Sequence, residues 1–511
     1  MLDNETSPLA ARFAQLAQDC GTQPAITFRG DERKPDSTFA YDFGKFWRRV
    51  QRVTAHLQAT WGVQAGDRIG LMAYNHPATV VLLIACARVG AILVPCNPEF
   101  EAREAQYIFE HAGVRGVICS TEALSKVQEA TCLMSPAPWQ VVIEQDQPDG
   151  EMSLLLQWQC SPPDLLTRTG TADSTCMIIY TSGTTGFPKG VMHSFGNLAW
   201  AINAGLQRVP MAGEDRMLSY LPLAHVVERV LVEHGWLQTG MSLYFAESLD
   251  TFAADLQRAR PTIFFSVPRL WVKFQQGVQA KMPPAKLNRL LKIPILNNIV
   301  RKKVLSALGL DQCIFAAGGA APMPAELLAW YAKLGLNINE GYGMTENLAL
   351  SHITEPGKNQ QGTVGPVYEG VEHRIDPATG EVQMRSQALM QGYYKEPEKT
   401  AEVFTPDGWL KTGDKGQIDG QAKNAQVGGD GGFAEVSGKQ ELAYSGRADA
   451  RAAKGTTGDL LLDPSTLEIR GGGSGSGSLP NADGVIQLDA SCMHGPRKRA
   501  GAVAGSSLVD T

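Results

Sequence analysis

An α/β fold built on parallel sheets covered by helices is the expectation for this chain, and three observations carry it. Short β-prone runs alternate with helical patterns through the amino-terminal part. The run Cys176 to Tyr180 is apolar at nearly every position, as expected for an interior strand buried on both faces. That strand leads straight into Thr181-Ser182-Gly183-Thr184-Thr185-Gly186-Phe187-Pro188-Lys189-Gly190, a loop dense in hydroxyls and glycine. Ligands in such folds sit beyond the carboxyl ends of strands.

Taken in order, Asp67 to Ala73 is a short β-prone run, Ala78 to Val89 a helix, and Ala91 to Pro95 the next strand. Thr79 to Cys96 is the most apolar stretch, yet it contains Arg88 and Gly90 and is flanked by Asn75-His76-Pro77 and Asn97-Pro98. A buried helix followed by a strand fits it better than a membrane span. Val114 to Ser120 is a further strand, and the loops at Thr181, Gly318 and Gly341 are expected at the ligand-binding edge.

Composition suits a protein of two or three globular domains: 511 residues, 43% hydrophobic and 19% charged. A net charge of −6 offers no basic surface for nucleic acid. The nine cysteines are scattered without a C-x-x-C pair or metal-ligand spacing, so they are expected to be reduced, mostly core thiols of a cytoplasmic protein. The polar, acidic amino terminus carries no signal-peptide pattern.

The loop from Tyr180 to Gly190 suits phosphate. Its glycines allow tight turns and close approach, successive N–H groups form an anion-binding concavity, and Ser and Thr add donors. The common P-loop pattern fails, because Lys189 is followed by Gly190. A Gly/Ser/Thr run alone also fits a flexible surface loop, so the rest of the chain decides.

The loop resembles the phosphate loop of the adenylate-forming (AMP-binding) enzymes, and further motifs of that superfamily follow in its order. They are Leu221-Pro222-Leu223-Ala224-His225 with Val226-Val227-Glu228-Arg229, Gly318-Gly319-Ala320-Ala321-Pro322, Glu340-Gly341-Tyr342-Gly343-Met344-Thr345-Glu346, and Gly408-Trp409-Leu410-Lys411-Thr412-Gly413-Asp414. The resemblance covers about Pro24 to Asp419. It implies a main domain over 1–420 of layered sheets and helices with a small β-barrel-like subdomain.

The same resemblance implies ATP, Mg²⁺ and coenzyme A as cofactor and co-substrates, with a small-molecule acid as the acyl donor. Thr181, Ser182, Gly183, Thr184, Thr185, Gly186 and Lys189 would cradle the β- and γ-phosphates. Thr345 would reach the α-phosphate and Glu346 would hold Mg²⁺. Tyr342 would face the adenine, with Gly319, Ala320, Ala321 and Pro322 opposite and Glu340, Gly341 and Gly343 shaping the strand end. Asp414 would accept from the ribose hydroxyls. His225 would lie near the acyl carboxylate or the thiol path. Plainer roles stay open: a turn residue for Asp414, a core aromatic for Tyr342, a structural histidine for His225 and a local ion pair for Glu228-Arg229.

The wording from Leu221 to Arg229, with Val267-Pro268-Arg269-Leu270-Trp271 downstream, resembles the long-chain fatty acyl-CoA synthetases. That branch implies an AMP-forming fatty acid–CoA ligase. Lys273 to Lys303 mixes cations with Leu, Ile and Val, which fits a solvated helical face or a peripheral membrane contact.

After Asp419 the text changes. Family members continue with a Gly-Arg-x-x-Asp hinge and a mobile domain that delivers a lysine. Here Gln421 to Thr511 holds no tryptophan, one phenylalanine (Phe433), one tyrosine (Tyr444) and 17 glycines. Gly446-Arg447-Ala448-Asp449 and Gly438-Lys439 mimic hinge and lysine motifs in reversed order and too close together. Residues 421–470 resemble instead a β-helix fragment of filamentous-haemagglutinin-type adhesins, and 471–511 a Gly/Ser linker with a disordered tail. The chain is therefore expected to be chimeric. It is either an impaired ligase or a catalytically inactive nucleotide- and acyl-binding protein.

Overall fold

The computed structural model describes residues 8–29, 38–143, 171–181, 187–355 and 363–416, with short strands at 434–438, 460–464, 467–470, 491–495 and 498–500. Two units are distinguished, Met1–Gly416 and Gln417–Thr511.

The four strands expected in the amino-terminal half all form in one seven-stranded sheet, three trimmed by a residue or two and Cys176–Tyr180 extended by one residue at each end. Its order is Gly392–Tyr393, Lys189–Ser194, Thr175–Thr181, Ile92–Pro95, Arg68–Met72, Gly116–Cys119, Trp139–Val142. Pairing is parallel from Thr175–Thr181 to Trp139–Val142. The other two strands run antiparallel. Parallel strands need crossover helices, and these bury the sheet.

Helix Pro77–Val89 is one such crossover. Proline at its first turn needs no partner for the N–H it lacks, the His76 side chain accepts from the Ala78 N–H, and Gly90 closes the helix at φ 76°. Every residue but Arg88 is buried, and Arg88 lays its guanidinium 4.7 Å over the ring of Trp47. A helix apolar all round belongs in a core. Among the described residues no helix is long and apolar enough to cross a membrane.

Helix Phe43–Ala59 is capped by Asp42, whose carboxylate accepts from the Lys45 N–H at 2.6 Å, and buries Phe43, Phe46, Val50, Val53 and Leu57 along one stripe. Phe13, Phe43 and Phe46 close around Trp236 at centroid distances of 5.4–5.7 Å. The Trp236 indole donates to the Ala25 carbonyl, so the ring is buried without an orphaned donor.

A second sheet orders Thr38–Asp42, Pro24–Arg29, Ser242–Phe245 and Arg216–Ser219, and a third Ile263–Ser266, Phe315–Gly318, Ile338–Tyr342 and His352–Ile353. The small all-β part is a three-stranded antiparallel sheet of Glu372–Ile375, Glu381–Arg385 and Leu410–Lys415. In the second unit, Ala434–Gly438 pairs parallel with Leu460–Pro464, which pairs antiparallel with Lys498–Ala500. Leu467–Arg470 pairs with Ser491–Gly495.

Candidate active site

Strands Thr175–Thr181 and Lys189–Ser194 pair antiparallel with Thr181 opposite Lys189, on either side of the segment expected to cradle phosphate. Ser182, Gly183, Thr184, Thr185 and Gly186 lie outside the described residues. The residues on either side of that segment make specific contacts. Phe187 stacks on Tyr107 at 4.9 Å, and the Tyr107 hydroxyl donates to the Pro188 carbonyl. Tyr180 and His111 share a 2.7 Å hydrogen bond. Lys189 leaves the hairpin with Nζ 4.9 Å from the centroid of the Tyr393 ring.

Thr345 and Glu346 sit in the 3₁₀ turn Thr345–Asn347. His193, on the strand that begins at Lys189, donates its Nε2–H to the Thr345 carbonyl at 2.8 Å. Burial holds that imidazole near a pKa of about 4, so it is neutral at physiological pH. The Glu346 side chain is 8% exposed. Its Oε1 accepts from the Tyr393 hydroxyl at 2.8 Å, and its backbone carbonyl accepts from the Met390 N–H.

Asn347 braces the turn: Oδ1 accepts from the Met344 N–H and Nδ2 donates to Ser351 Oγ. Leu348 and Ala349 follow at φ 56° and 61°. Two consecutive non-glycine residues in the left-handed region cost about 1–3 kcal/mol each and persist only where the surroundings impose them. The fold-back brings Ala349 onto Gly343, where an added Cβ would meet the Ala349 backbone at 2.4 Å.

Parallel pairing sets Gly318 beside Glu340 at the ends of strands Phe315–Gly318 and Ile338–Tyr342. Gly319 lies against the Gly341 carbonyl, where a Cβ would approach to 2.8 Å. Ala320 takes φ 66°, and Ala320, Ala321 and Pro322 are exposed. Glu340 is half-buried with its carboxyl pushed up by burial. The Tyr342 hydroxyl donates to Asp414 Oδ2 at 2.7 Å, and Asp414 is exposed. Asp414 sits next to Gly413, whose N–H is held by the Glu381 carboxylate.

The residues described so far form two linked groups: Lys189, Thr345 and Glu346 joined through Tyr393 and His193, and Tyr342 with Asp414 and the Gly319–Gly341 contact. His225 joins neither by hydrogen bond among the described residues. Its Nδ1 accepts from the Val227 N–H within its own turn, and burial lowers its pKa.

Glu228 and Arg229 correct the expectation of a local ion pair. Both are buried, and they do not pair with each other. Glu228 accepts from Ser219, Asn75 and the Leu221 N–H. Arg229 pairs with Glu233 at 2.6 Å and donates to the Leu223 carbonyl. They open a π-helical segment, Glu228–His234, an unusual geometry that shifts the register of a helix locally. Glu228 therefore anchors the Leu221 turn rather than a neighbouring charge.

Tyr393, His193 and Asn347 tie Glu346, Thr345 and their turn together, and none of the motifs named above contains them. Their roles depend on partners 47, 152 and 4 residues away, respectively, so no local pattern announces the first two. Among the described residues no cluster of three or more His, Cys, Asp or Glu could hold a metal ion. Glu346 Oε1 is engaged by Tyr393, which leaves one carboxylate oxygen. That donor set fits Mg²⁺ arriving with phosphate oxygens, since Mg²⁺ is usually bound through one or two carboxylates plus phosphates.

The profile of the family described as AMP-binding enzyme matches residues 13–394. The chain is 23% identical over 451 residues to the long-chain-fatty-acid–CoA ligase ACSBG2 of Homo sapiens, covering 80% of this chain and 67% of that protein. It is 30% identical over 399 residues to the feruloyl-CoA synthase of an Amycolatopsis species, covering 75% and 72%. Among solved structures, ATP-bound MatB from Rhodopseudomonas palustris superposes with a TM-score of 0.66 at 25% identity, covering 81% of this chain and 77% of that one.

Proposed function

The chain belongs to the AMP-binding enzyme family, and on that premise we propose that it is an AMP-forming ligase for long-chain fatty acids, converting ATP, fatty acid and coenzyme A to acyl-CoA, AMP and diphosphate. The observation that carries this reading is the linkage of Lys189, Tyr393 and Glu346 beside the phosphate hairpin. A nucleotide-binding edge completed by Tyr342 and Asp414 supports it.

A carboxylate is a poor acyl donor because its leaving group would be oxide. Its oxygen attacks the α-phosphorus of ATP, the bond to diphosphate breaks, and an acyl adenylate forms. The thiol of coenzyme A then attacks the acyl carbon and AMP leaves. Both steps crowd negative charge, so the protein contributes chiefly positioning and electrostatics. Lys189 and the hairpin hold the β- and γ-phosphates, Thr345 donates to the α-phosphate, and Tyr342 and Asp414 hold adenine and ribose. Glu346 would hold Mg²⁺, which would supply charge neutralisation at the phosphates. His225, partly buried and with its pKa lowered by burial, would lie near the acyl carboxylate or the thiol path.

The fatty-acid assignment rests on the Leu221–Arg229 wording and the human relative. Delivery from a membrane surface belongs to the same reading. No acidic residue occurs between Asp255 and Asp311, while Lys286, Arg289, Lys292, Lys302 and Lys303 are exposed beside Ile293, Leu296 and Ile299, themselves 38–58% exposed. Because the segment after Asp419 carries neither the family hinge nor its lysine motif in order, adenylation by this chain is expected to be weak and thioester formation weaker. An adhesin-like origin for residues 421–470 accords with the glycine-rich wording there.

The alternative, a nucleotide- and acyl-binding protein without turnover, is favoured by that same carboxy-terminal segment. Pyrophosphate release, scanned over acetate, octanoate, palmitate and ferulate with and without coenzyme A, separates them. Palmitate-dependent release abolished by Lys189→Ala or Glu346→Ala supports the ligase. ATP binding with no release from any acid supports the binding protein. Release driven only by ferulate moves the substrate class to aromatic acids.

A further inference from the structure

We propose that Tyr393 is a positioning residue for the phosphate and metal end of the site, orienting Glu346 with its hydroxyl and supporting Lys189 with its ring. The inference rests on the ligase reading above and deepens it.

Tyr393 belongs to none of the motifs named above, yet its side chain contacts both Lys189 and Glu346. It is 5% exposed and held on three sides. Gly392–Tyr393 pairs antiparallel with the strand that starts at Lys189, setting Tyr393 opposite Val191. Its N–H donates to Thr400 Oγ1, which in turn donates to the Glu396 carbonyl in the first turn of helix Pro397–Val403. Gly392, at φ 137°, lies so close to Thr400 that a Cβ would meet its methyl at 2.9 Å. The ring therefore has a fixed place.

From that place the hydroxyl donates to one oxygen of Glu346 and turns the other away from Tyr393. A carboxylate so anchored does not lose rotamer freedom again when a cation binds, which is how partners behind a metal ligand raise affinity. The ring face meanwhile attracts the Lys189 ammonium and holds it at the base of the hairpin. One side chain thus sets the distance between the cation that meets the terminal phosphates and the carboxylate that meets their counter-ion.

The test measures ATP binding to the full chain by calorimetry across a series of Mg²⁺ concentrations. Tyr393→Phe keeps the ring and loses only the hydroxyl. It is expected to need about tenfold more Mg²⁺ for half-maximal enhancement of ATP binding. Its affinity for ATP without Mg²⁺ is expected to stay at the wild-type value, which also reports an intact fold. Tyr393→Leu is expected to lose in addition roughly threefold in Mg²⁺-free ATP affinity, through Lys189. On a Glu346→Gln background, Tyr393→Phe should shift the Mg²⁺ requirement no further. An unchanged Mg²⁺ requirement in Tyr393→Phe, or an equal shift on the Glu346→Gln background, overturns the proposal. A wild-type chain that binds no ATP at any Mg²⁺ concentration overturns the ligase reading itself, and this inference with it.

Discussion

The hydroxyl of Tyr342 donates a 2.7 Å hydrogen bond to Asp414, a residue 72 positions later and in a different sheet. The ring expected to face adenine is thereby tied to the carboxylate expected to hold ribose. Asp414→Ala is predicted to weaken ATP binding about tenfold to a hundredfold, the worth of hydrogen bonds to a charged group. Tyr342→Phe keeps the stacking face and should cost several-fold at most. Equal ATP affinity for wild type and Asp414→Ala would remove Asp414 from the nucleotide site.

Gly319 and Gly343 are required by close backbone approach rather than by flexibility. Alanine at 319 meets the Gly341 carbonyl and alanine at 343 meets Ala349. Each substitution is predicted to cost about 1–3 kcal/mol of stability by overpacking, and to disturb nucleotide binding more than unfolding temperature. Urea unfolding and ATP calorimetry on each variant check this. Wild-type behaviour in both would contradict the packing.

The buried Arg229–Glu233 pair makes a stability prediction of its own. Glu233→Leu alone leaves an uncompensated guanidinium in the core and is predicted to cost about 3–5 kcal/mol. The double variant Arg229→Met with Glu233→Leu should recover most of that loss, because hydrophobic replacement of both partners is often neutral. A double variant as unstable as the single one would show that the Arg229 bond to the Leu223 carbonyl matters more than the charges.

Acid should destabilise the main domain through its buried histidines. His193, His234 and His352 are each held near a pKa of about 4, with burial the leading cause. Each has one ring nitrogen without a hydrogen-bond partner, so a second proton has no acceptor. A depressed folded pKa gives stability that is present above the unfolded value of about 6.5 and lost as pH falls towards 4. Glu228 acts in the opposite sense. Burial pushes its carboxyl up to about 8, so its contribution is present below the unfolded value and lost as pH rises to 8. Near pH ~5.5 these histidines, with His76 also held near a pKa of about 4, outweigh Glu228, and unfolding should take up protons net. Glu228→Gln should raise that uptake by about one proton. The pH dependence of the urea midpoint reports both, and a falling midpoint with rising pH would contradict the assignment.

The exposed cations around Ile293, Leu296 and Ile299 predict association with anionic vesicles that salt suppresses. Each lysine near a charged bilayer contributes about 1 kcal/mol, so Lys302→Gln with Lys303→Gln should weaken binding roughly thirtyfold. Sedimentation with phosphatidylglycerol and with phosphatidylcholine vesicles separates charge from simple adsorption. Equal binding to both lipids would leave a solvated helical face.

The α/β class, the strand Thr175–Thr181 leading into the Gly/Ser/Thr segment, and the order of motifs along the first unit are legible in the sequence. Those features depend on short-range pattern: a five-residue apolar run before a glycine-rich loop suits an interior strand, and proline and glycine mark the ends of helix Pro77–Val89. Which side chains meet is set instead by packing between elements far apart in the chain. Lys189 and Glu346 are motif residues, but the ring and hydroxyl joining them belong to Tyr393, which sequence offered as one aromatic among twelve tyrosines. The misjudged Glu228-Arg229 pair has the same cause. Adjacent residues point different ways around a helix, so their partners are set by what packs against each face, at distances along the chain that no local pattern encodes.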